Sequence, residues 1–277
     1  MSKYSYEHID LSDENMKKVE NAYRISVESL LKDEKDILKE IQKSKCANTQ
    51  KLLYNKAKIL IELKNTLQLA IENNNYYGAN IIMRSLCEHN MIAFYVWISS
   101  NKNTNDKCAE EYYNEYVISE KIKQENYKLK IEGIQTNDKE VQNLEELKKR
   151  FDFLHDKDQK YISDVHNKAG QFKIDRIANY LFNKIIEDHP FKPFIEGTIG
   201  LNLQEYNLLS SFVHGGPYAE EEKLNEMDSE KANKLKKKLK YLSHHFTRMV
   251  ITMLYSLVNI ETDRYSETLT RMFAKNE

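Results

Sequence analysis

Residues 76–100 read YYGANIIMRSLCEHNMIAFYVWISS, the most apolar stretch of helical length in an otherwise highly charged chain. On a helix its apolar side chains point in every direction, as in a helix that neighbours surround on all sides. The stretch is long enough to cross a bilayer, but Arg84, Glu88, His89 and Asn90 stand near its middle, where lipid strongly disfavours them. We therefore expect a central core helix at 76–100 and no membrane span.

The rest of the chain predicts an all-α fold. Its 277 residues include only 7 glycines and 3 prolines, too few for the turns of a β-rich protein. Apolar residues recur at helical spacing, which predicts one domain over 1–277, a bundle of about nine helices around the central one. The expected helices lie near 13–44, 49–72, 76–100, 107–131, 138–166, 174–187, 203–214, 229–259 and 262–275. An N-terminal arm at 1–10 and an irregular loop at 189–202 complete the expectation.

Residues 101–170 differ from the rest of the chain, because charge is denser and the apolar stripes are thinner. Two long helices in series predict an antiparallel hairpin that projects from the core. Two ordinary surface helices of the bundle explain the same pattern equally well. Both alternatives stay open at this point.

Overall composition points to a protein of the cytoplasm. The net charge of −1 argues against a broadly basic nucleic-acid binder, although a local basic patch remains compatible with it. Three cysteines without a pattern predict neither a disulfide framework nor a CxxC metal site. The polar, acidic N-terminus does not resemble a signal peptide.

Two charged residues of the apolar helix require an explanation, because an unpaired charge is costly in a dry core. Arg84 and Glu88 are four residues apart, so they lie about 40° apart around the helix and can pair on one face. His89 is rotated about 140° from Arg84, so their contact needs a distorted helix or a second subunit. Either the pair is structural, or it belongs to a functional cluster.

The run Arg84-Ser-Leu-Cys-Glu-His89 places four residues between an arginine and a histidine. It resembles the signature of the HEPN superfamily, all-α domains that include many metal-independent ribonucleases. The resemblance implies a helical bundle that forms homodimers and brings two such motifs together over an RNA strand. The residue types suit this chemistry: histidine transfers protons near neutral pH, and arginine stabilises negative charge on the phosphoryl group in the transition state.

A second motif, Ser210-Ser-Phe-Val-His214-Gly-Gly, ends the expected helix 203–214. With Arg84 and Glu88, this ending is similar to an uncharacterised group of bacterial helical proteins placed near the HEPN superfamily. That resemblance implies that Arg84, Glu88 and His214 converge on one site and that His89 is incidental. The alternative is a capping histidine at the edge of the core.

A third candidate is the basic run at 231–248, KANKLKKKLKYLSHHFTR. Its Lys236, Lys237, Lys240 and Arg248 are candidates for binding an RNA backbone, since lysine and arginine make most phosphate contacts. A solvated helix face beside the acidic residues 220–222 explains the run as well.

No sequence pattern predicts a metal or a cofactor. The chain lacks HExxH, the ExxH pairs of di-iron bundles, the P-loop, GxGxxG and GxSxG. Any catalysis is therefore expected to rest on side chains alone.

Two hypotheses follow. The first is a cytoplasmic, dimeric, HEPN-like ribonuclease without a metal, whose role in toxin or antiphage defence is implied by the resemblance alone. In it Arg84 stabilises the scissile phosphate, His89 or His214 is the general acid or base, and Glu88 orients them. The second is a non-catalytic helical module that binds a protein or nucleotide ligand and uses Arg84–Glu88 as structural support.

Overall fold

The computed structural model describes residues 9–103, 105–136, 144–181, 192–216 and 228–258, and these form helices without any β-strand. The all-α prediction is confirmed. The helices are α1 (Asp13–Lys32), α2 (Glu34–Lys43), α3 (Ala47–Glu72), α4 (Tyr76–Asn103), α5 (Lys107–Glu111), α6 (Val117–Thr136), α7 (Leu144–Arg150), α8 (Gln159–Ala169), α9 (Ile174–Tyr180), α10 (Lys192–His214) and α11 (Ser229–Leu257). A π-helical turn at Tyr112–Tyr116 joins α5 to α6, and 3-10 turns lie at Asp152–Leu154 and Gly170–Phe172. The expected helix at 262–275 and most of the expected N-terminal arm lie outside the described residues.

Helix α4 packs against α3, α10 and α11 and also touches α5 and α9. Most of its apolar side chains are buried or partly buried, with Tyr77 as an exposed exception, in keeping with a sequence that is apolar all round. Helix α10 runs antiparallel to α4, as two contacts show. The Tyr77 hydroxyl, near the start of α4, donates to the carbonyl of Phe212, near the end of α10, and Asn90 later in α4 contacts Asn202 earlier in α10. This pairing brings the second half of α10 beside Arg84.

Two fully buried amides fix how α4, α10 and α11 align. The Asn202 side chain donates to Asn90 Oδ1 and to the carbonyl of Thr198, both at 3.0 Å. Asn90 in turn donates to the carbonyl of Phe246 on α11 at 3.1 Å. Because a buried amide without partners is costly, a shift of one helix along another would break this set of hydrogen bonds.

The first expected helix, 13–44, divides into α1 and α2 at Asp33. Ser12 caps α1, and its side chain accepts a hydrogen bond from the backbone of Asn15. At the division, the Asp33 carboxylate accepts a hydrogen bond from the hydroxyl of Tyr255 on α11 at 2.8 Å. Leu30 before the break and Ile37 after it are both buried in the main core.

The expectation of one helix over 138–166 is wrong for the described part of that span. Helix α7 ends at Arg150, Phe151 is extended, and α8 begins only at Gln159 behind an Asp158 cap. Leu154 lies in this break and is buried in a small core with residues of α6, α7 and α8. The Asp158 carboxylate accepts the backbone N–H of Tyr161 and so starts a new helix, which the expectation of one continuous helix did not allow for.

The irregular loop expected at 189–202 is also wrong from Lys192 onwards, where α10 already begins. Pro193 lies in the first turn, where a missing backbone N–H is tolerated. The helix ends at His214 as expected, with Gly215 at φ 61° and the Gly216 amide donating to the carbonyl of Ser211. The remainder of the loop lies outside the described residues.

None of the helices in the described ranges combines the length and the apolarity that a membrane span requires.

Asp106 provides a test of the fold, because its carboxylate caps the start of α3 from a distant part of the chain. It accepts the backbone N–H groups of Asn48 at 2.6 Å and Thr49 at 2.7 Å, and it is 8 % exposed. Asp106→Ala leaves both donors unpaired, so we expect a loss of about 1–3 kcal/mol of unfolding free energy in urea titrations. Asp36→Ala, which removes an exposed i,i+3 partner of Lys39, is the control and should change stability by less than about 0.5 kcal/mol. Equal effects of the two substitutions would contradict the role given to Asp106.

Candidate functional site

A cleft of about 680 Å³ opens beside α4, within the size range of ligand pockets. Side chains from α4, the π-helical turn, α6, α8, α9 and α10 form its wall. Three aromatic residues line it, Tyr116, Phe172 and Tyr206. The polar side chains in the wall are Glu88, Glu120, Lys123, His166, Asn167, Lys173, Asp175 and Arg176. A mixed wall of this kind suits a ligand that carries both rings and charge.

Arg84 lies directly behind this wall. Its Nε donates to Ser210 Oγ at 3.3 Å, its Nη2 donates to the Tyr206 hydroxyl at 3.0 Å, and Nη2 lies 3.1 Å from Glu88 Oε1. The Arg84 Cζ atom is also 4.8 Å from the centroid of the Tyr206 ring. The Arg84 side chain is 17 % exposed and that of Glu88 is 36 % exposed. Arg84 therefore reaches the cleft through two groups that line it, Glu88 and Tyr206.

His89 faces another part of the molecule. Its Nδ1 lies 2.9 Å from Lys56 Nζ on α3, whereas Arg84 contacts α10. Burial, followed by the nearby charge of Lys56, lowers the pKa of His89 from 6.5 to about 4. The divergence of Arg84 and His89 agrees with the rotation of about 140° expected on a straight helix.

Lys56 is unusual for a lysine, because only 5 % of the residue is exposed to solvent. Its Nζ donates to the hydroxyl of Tyr112 at 2.9 Å and lies 5.0 Å from the centroid of that ring. Burial lowers the pKa of Lys56 from 10.5 to about 8, and the Glu88 carboxylate opposes this shift. Tyr112 belongs to the π-helical turn, a geometry found frequently at functional sites.

His214 is the last residue of α10 and is exposed. It follows Ser210 by four residues, so it lies on the same face of α10, about 6 Å further along the axis. Within the described ranges, the polar contacts of Arg84 are made with Glu88, Tyr206 and Ser210. The fold therefore brings Arg84 and Glu88 together and leaves both His89 and His214 out of contact with Arg84.

The four basic candidates of the run 231–248 do not share one open surface. Lys236 donates to the side chain of Asn74, and Lys237 pairs with Asp13 at 2.7 Å. Lys240 and Arg248 are half-buried where α11 packs on the core.

His166 was not predicted, yet it lines the cleft together with Glu88 and Tyr206. Its Nδ1 lies 2.7 Å from the hydroxyl of Ser119, which is fully buried, so Nε2 is the ring nitrogen left for a ligand. Burial and then Lys123 lower the pKa of His166, and Glu120 opposes them, so burial favours the neutral imidazole. A neutral imidazole with one nitrogen fixed is suited to accept a proton.

Among the described residues, no group of three or more His, Cys, Asp or Glu side chains is placed so that it could hold a metal ion.

The buried amine of Lys56 gives a testable pH dependence. Its folded pKa is depressed, so between pH 8 and about 10 the unfolded chain holds a proton that the folded chain releases, and stability rises with pH. In Lys56→Met this contribution is absent. We expect the difference in unfolding free energy between wild type and variant to change by up to ~1.4 kcal/mol per pH unit in that window. Lys58→Met, on the same helix but 40 % exposed, is the control. A flat difference for both variants would show that Lys56 keeps its charge on folding.

One of three comparisons with known proteins gave a match. Searches of curated proteins and of solved structures gave no match. The model of a family of unknown function, DUF5677, matches residues 51–233, which is more than half of the chain. The matched span contains Arg84, Glu88, His166 and Tyr206. The chain therefore belongs to DUF5677.

Proposed function

We propose that this protein is a metal-independent ribonuclease of the HEPN-like type, with the cleft beside α4 as its active site. One observation carries the proposal: a carboxylate (Glu88), an imidazole (His166) and a phenol (Tyr206) line the same cleft, and an arginine stands directly behind two of them. Groups that accept and donate protons, with a fixed positive charge beside them, are what RNA cleavage by its own 2′-hydroxyl requires.

The proposed reaction begins with proton transfer from the 2′-hydroxyl of the RNA to Nε2 of His166. The 2′-oxygen attacks phosphorus, the bond from phosphorus to the 5′-oxygen breaks, and a 2′,3′-cyclic phosphate forms. The Tyr206 phenol gives its proton to the departing 5′-oxygen. Arg84 already donates to the Tyr206 oxygen, so it stabilises the phenolate that this step produces. Proton return from His166 to Tyr206 through water restores the site.

In this proposal the basic residues of the cleft bind the RNA phosphates; they are Lys123, Lys173 and Arg176. Lys173 and Arg176 are exposed, and Lys123 is paired with Glu120 at 2.8 Å with both side chains partly exposed. A phosphate can replace a partner of this kind at little cost, because exposed ion pairs contribute little.

The proposal thus assigns the general base to His166 and not to His89 or His214, the two histidines that the sequence indicated. His89 is held by Lys56, and His214 lies at the exposed end of α10. Homodimer formation, a cytoplasmic location and a role in toxin or antiphage defence belong to the same proposal, and the HEPN resemblance is their support.

A second candidate is a non-catalytic module that binds a nucleotide or protein ligand in the cleft. The observation in its favour is the low exposure of Arg84, which has three partners within its own domain and can serve as a brace between α4 and α10. RNA cleavage separates the two functions.

The test is cleavage of a synthetic RNA in EDTA by wild type, His166→Ala and Tyr206→Phe, each prepared identically and checked by circular dichroism. We expect the wild type to leave a cyclic phosphate. His166→Ala should be slower by about 10²–10⁴-fold, the usual effect of losing a general base. His155→Ala, an exposed histidine shortly before α8, is the matched control and should retain full activity.

Two results would contradict the ribonuclease proposal. Absence of cleavage by the wild type would favour the binding module. Cleavage that survives His166→Ala and falls with His89→Ala or His214→Ala would return the general base to the residues indicated by the sequence.

A further inference from the structure

Away from the cleft, three cationic side chains meet where α11 packs on α1 and α3. Lys240 and Arg248 belong to α11 and are one helical turn before and after His244, so the three lie on one face. Lys64 of α3 joins them, because its Nζ is 4.6 Å from the centroid of the Tyr23 ring, on which His244 also stacks at 4.6 Å. We refer to Lys64, Lys240, His244 and Arg248 as the basic cluster.

Two polar atoms of the basic cluster are buried without a hydrogen-bond partner among the described residues, Nε of Arg248 and Nδ1 of His244. His244 is 1 % exposed. A buried donor or acceptor in this state normally costs about 1–3 kcal/mol, so such atoms are usually satisfied by water or a ligand. The arginine donor is the informative one, because its natural partner is an acceptor with negative charge.

Carboxylates do not neutralise the basic cluster directly. Over the described ranges, none of its cations has an ion-pair partner within 4 Å. Glu20 and Glu72 act on Lys64 only at longer range, and Asp10 acts on Tyr241, which neighbours Arg248. Both glutamates are exposed to solvent.

Burial first, and the neighbouring positive charges second, lower the pKa values of two histidines here. Burial and then Lys64, Lys240 and Arg248 lower the pKa of His244 to about 3, and burial followed by Arg248 lowers that of His245 to about 4. Neutral imidazoles at this position can accept or donate a hydrogen bond without adding charge.

We infer that the basic cluster is an anion-binding site for a phosphate group, separate from the cleft, with the half-buried guanidinium of Arg248 as its central donor group and Lys64 and Lys240 as flanking charges. The phosphate belongs either to a free phosphate ester or to a nucleic-acid backbone, since both present the same oxygens. The inference is independent of catalysis in the cleft.

The experiment uses the full chain and inorganic phosphate as the probe, with sodium chloride at matched ionic strength. Arginine Nε–Hε resonances of ¹⁵N-labelled protein are followed by NMR, and Arg248→Lys assigns the one that belongs to Arg248. We expect phosphate to shift the Arg248 resonance saturably and chloride to leave it in place. Arg248→Gln should weaken phosphate binding by about ten- to a hundredfold.

Lys236→Gln is the matched control, because Lys236 lies on the same helix and donates to Asn74. It should retain the phosphate affinity of the wild type. Identical shifts in phosphate and chloride, or equal losses in Lys236→Gln and Arg248→Gln, would overturn the inference, because general screening explains both.

A second titration distinguishes the two sources of phosphate. A nucleoside monophosphate that competes with inorganic phosphate identifies a site for a free ester. Competition by a short single-stranded RNA alone identifies a backbone site, and steep weakening by salt would accompany it. Failure of both competitors after inorganic phosphate has bound would restrict the site to the inorganic ion and overturn the ester assignment.

Discussion

Helix α4 imposes the main constraint on this molecule, because neighbouring helices cover most of its surface and leave few of its polar residues in contact with solvent. Glu88 pairs with Arg84 of the same helix, whereas other buried polar residues of α4 find partners on neighbouring helices and thereby fix those neighbours. Asn90 binds α10 and α11, Arg84 binds α10, and His89 binds α3. Hydrophobic burial supplies the stability of this core, but it is non-directional. The hydrogen bonds of α4 determine which of many similar packings is adopted.

The same constraint concentrates charge at one place. Glu88 pairs with Arg84 and acts electrostatically on the buried amine of Lys56, so one carboxylate balances two cations of low exposure. It also forms part of the cleft wall. A ligand that binds near Glu88 therefore approaches a carboxylate that already interacts with two cations, Arg84 and Lys56. This links the interior polar network to the surface at which chemistry is proposed.

Sequence periodicity was sufficient for the all-α class, for α3 and α4 and for the glycine end of α10. It failed where a local cap starts a new helix, as at Asp158, which begins α8 inside a span that the sequence predicted as one helix. Within the site, the Arg84–Glu88 pair was predictable from its spacing of four residues. Tyr206 stands four residues before Ser210 on the face that Arg84 contacts, so a helical projection of α10 could have revealed it. His166 could not be found in this way, because only the tertiary packing of α8 brings it beside α4.

The π-helical turn at Tyr112–Tyr116 has a consequence for how this chain tolerates change in length. Such a turn holds one residue more than a regular helical turn, and each residue of an α-helix advances the chain by about 100°. Loss of one residue here would rotate everything that follows by that angle. The small core that Ile122 and Leu129 form with residues of α7 and α8 would then rotate as one unit relative to α4. The extra residue thus sets the rotation of the segment that supplies His166 relative to the bundle that contains α4. A deletion at this point would leave each helix intact but would separate the two halves of the cleft.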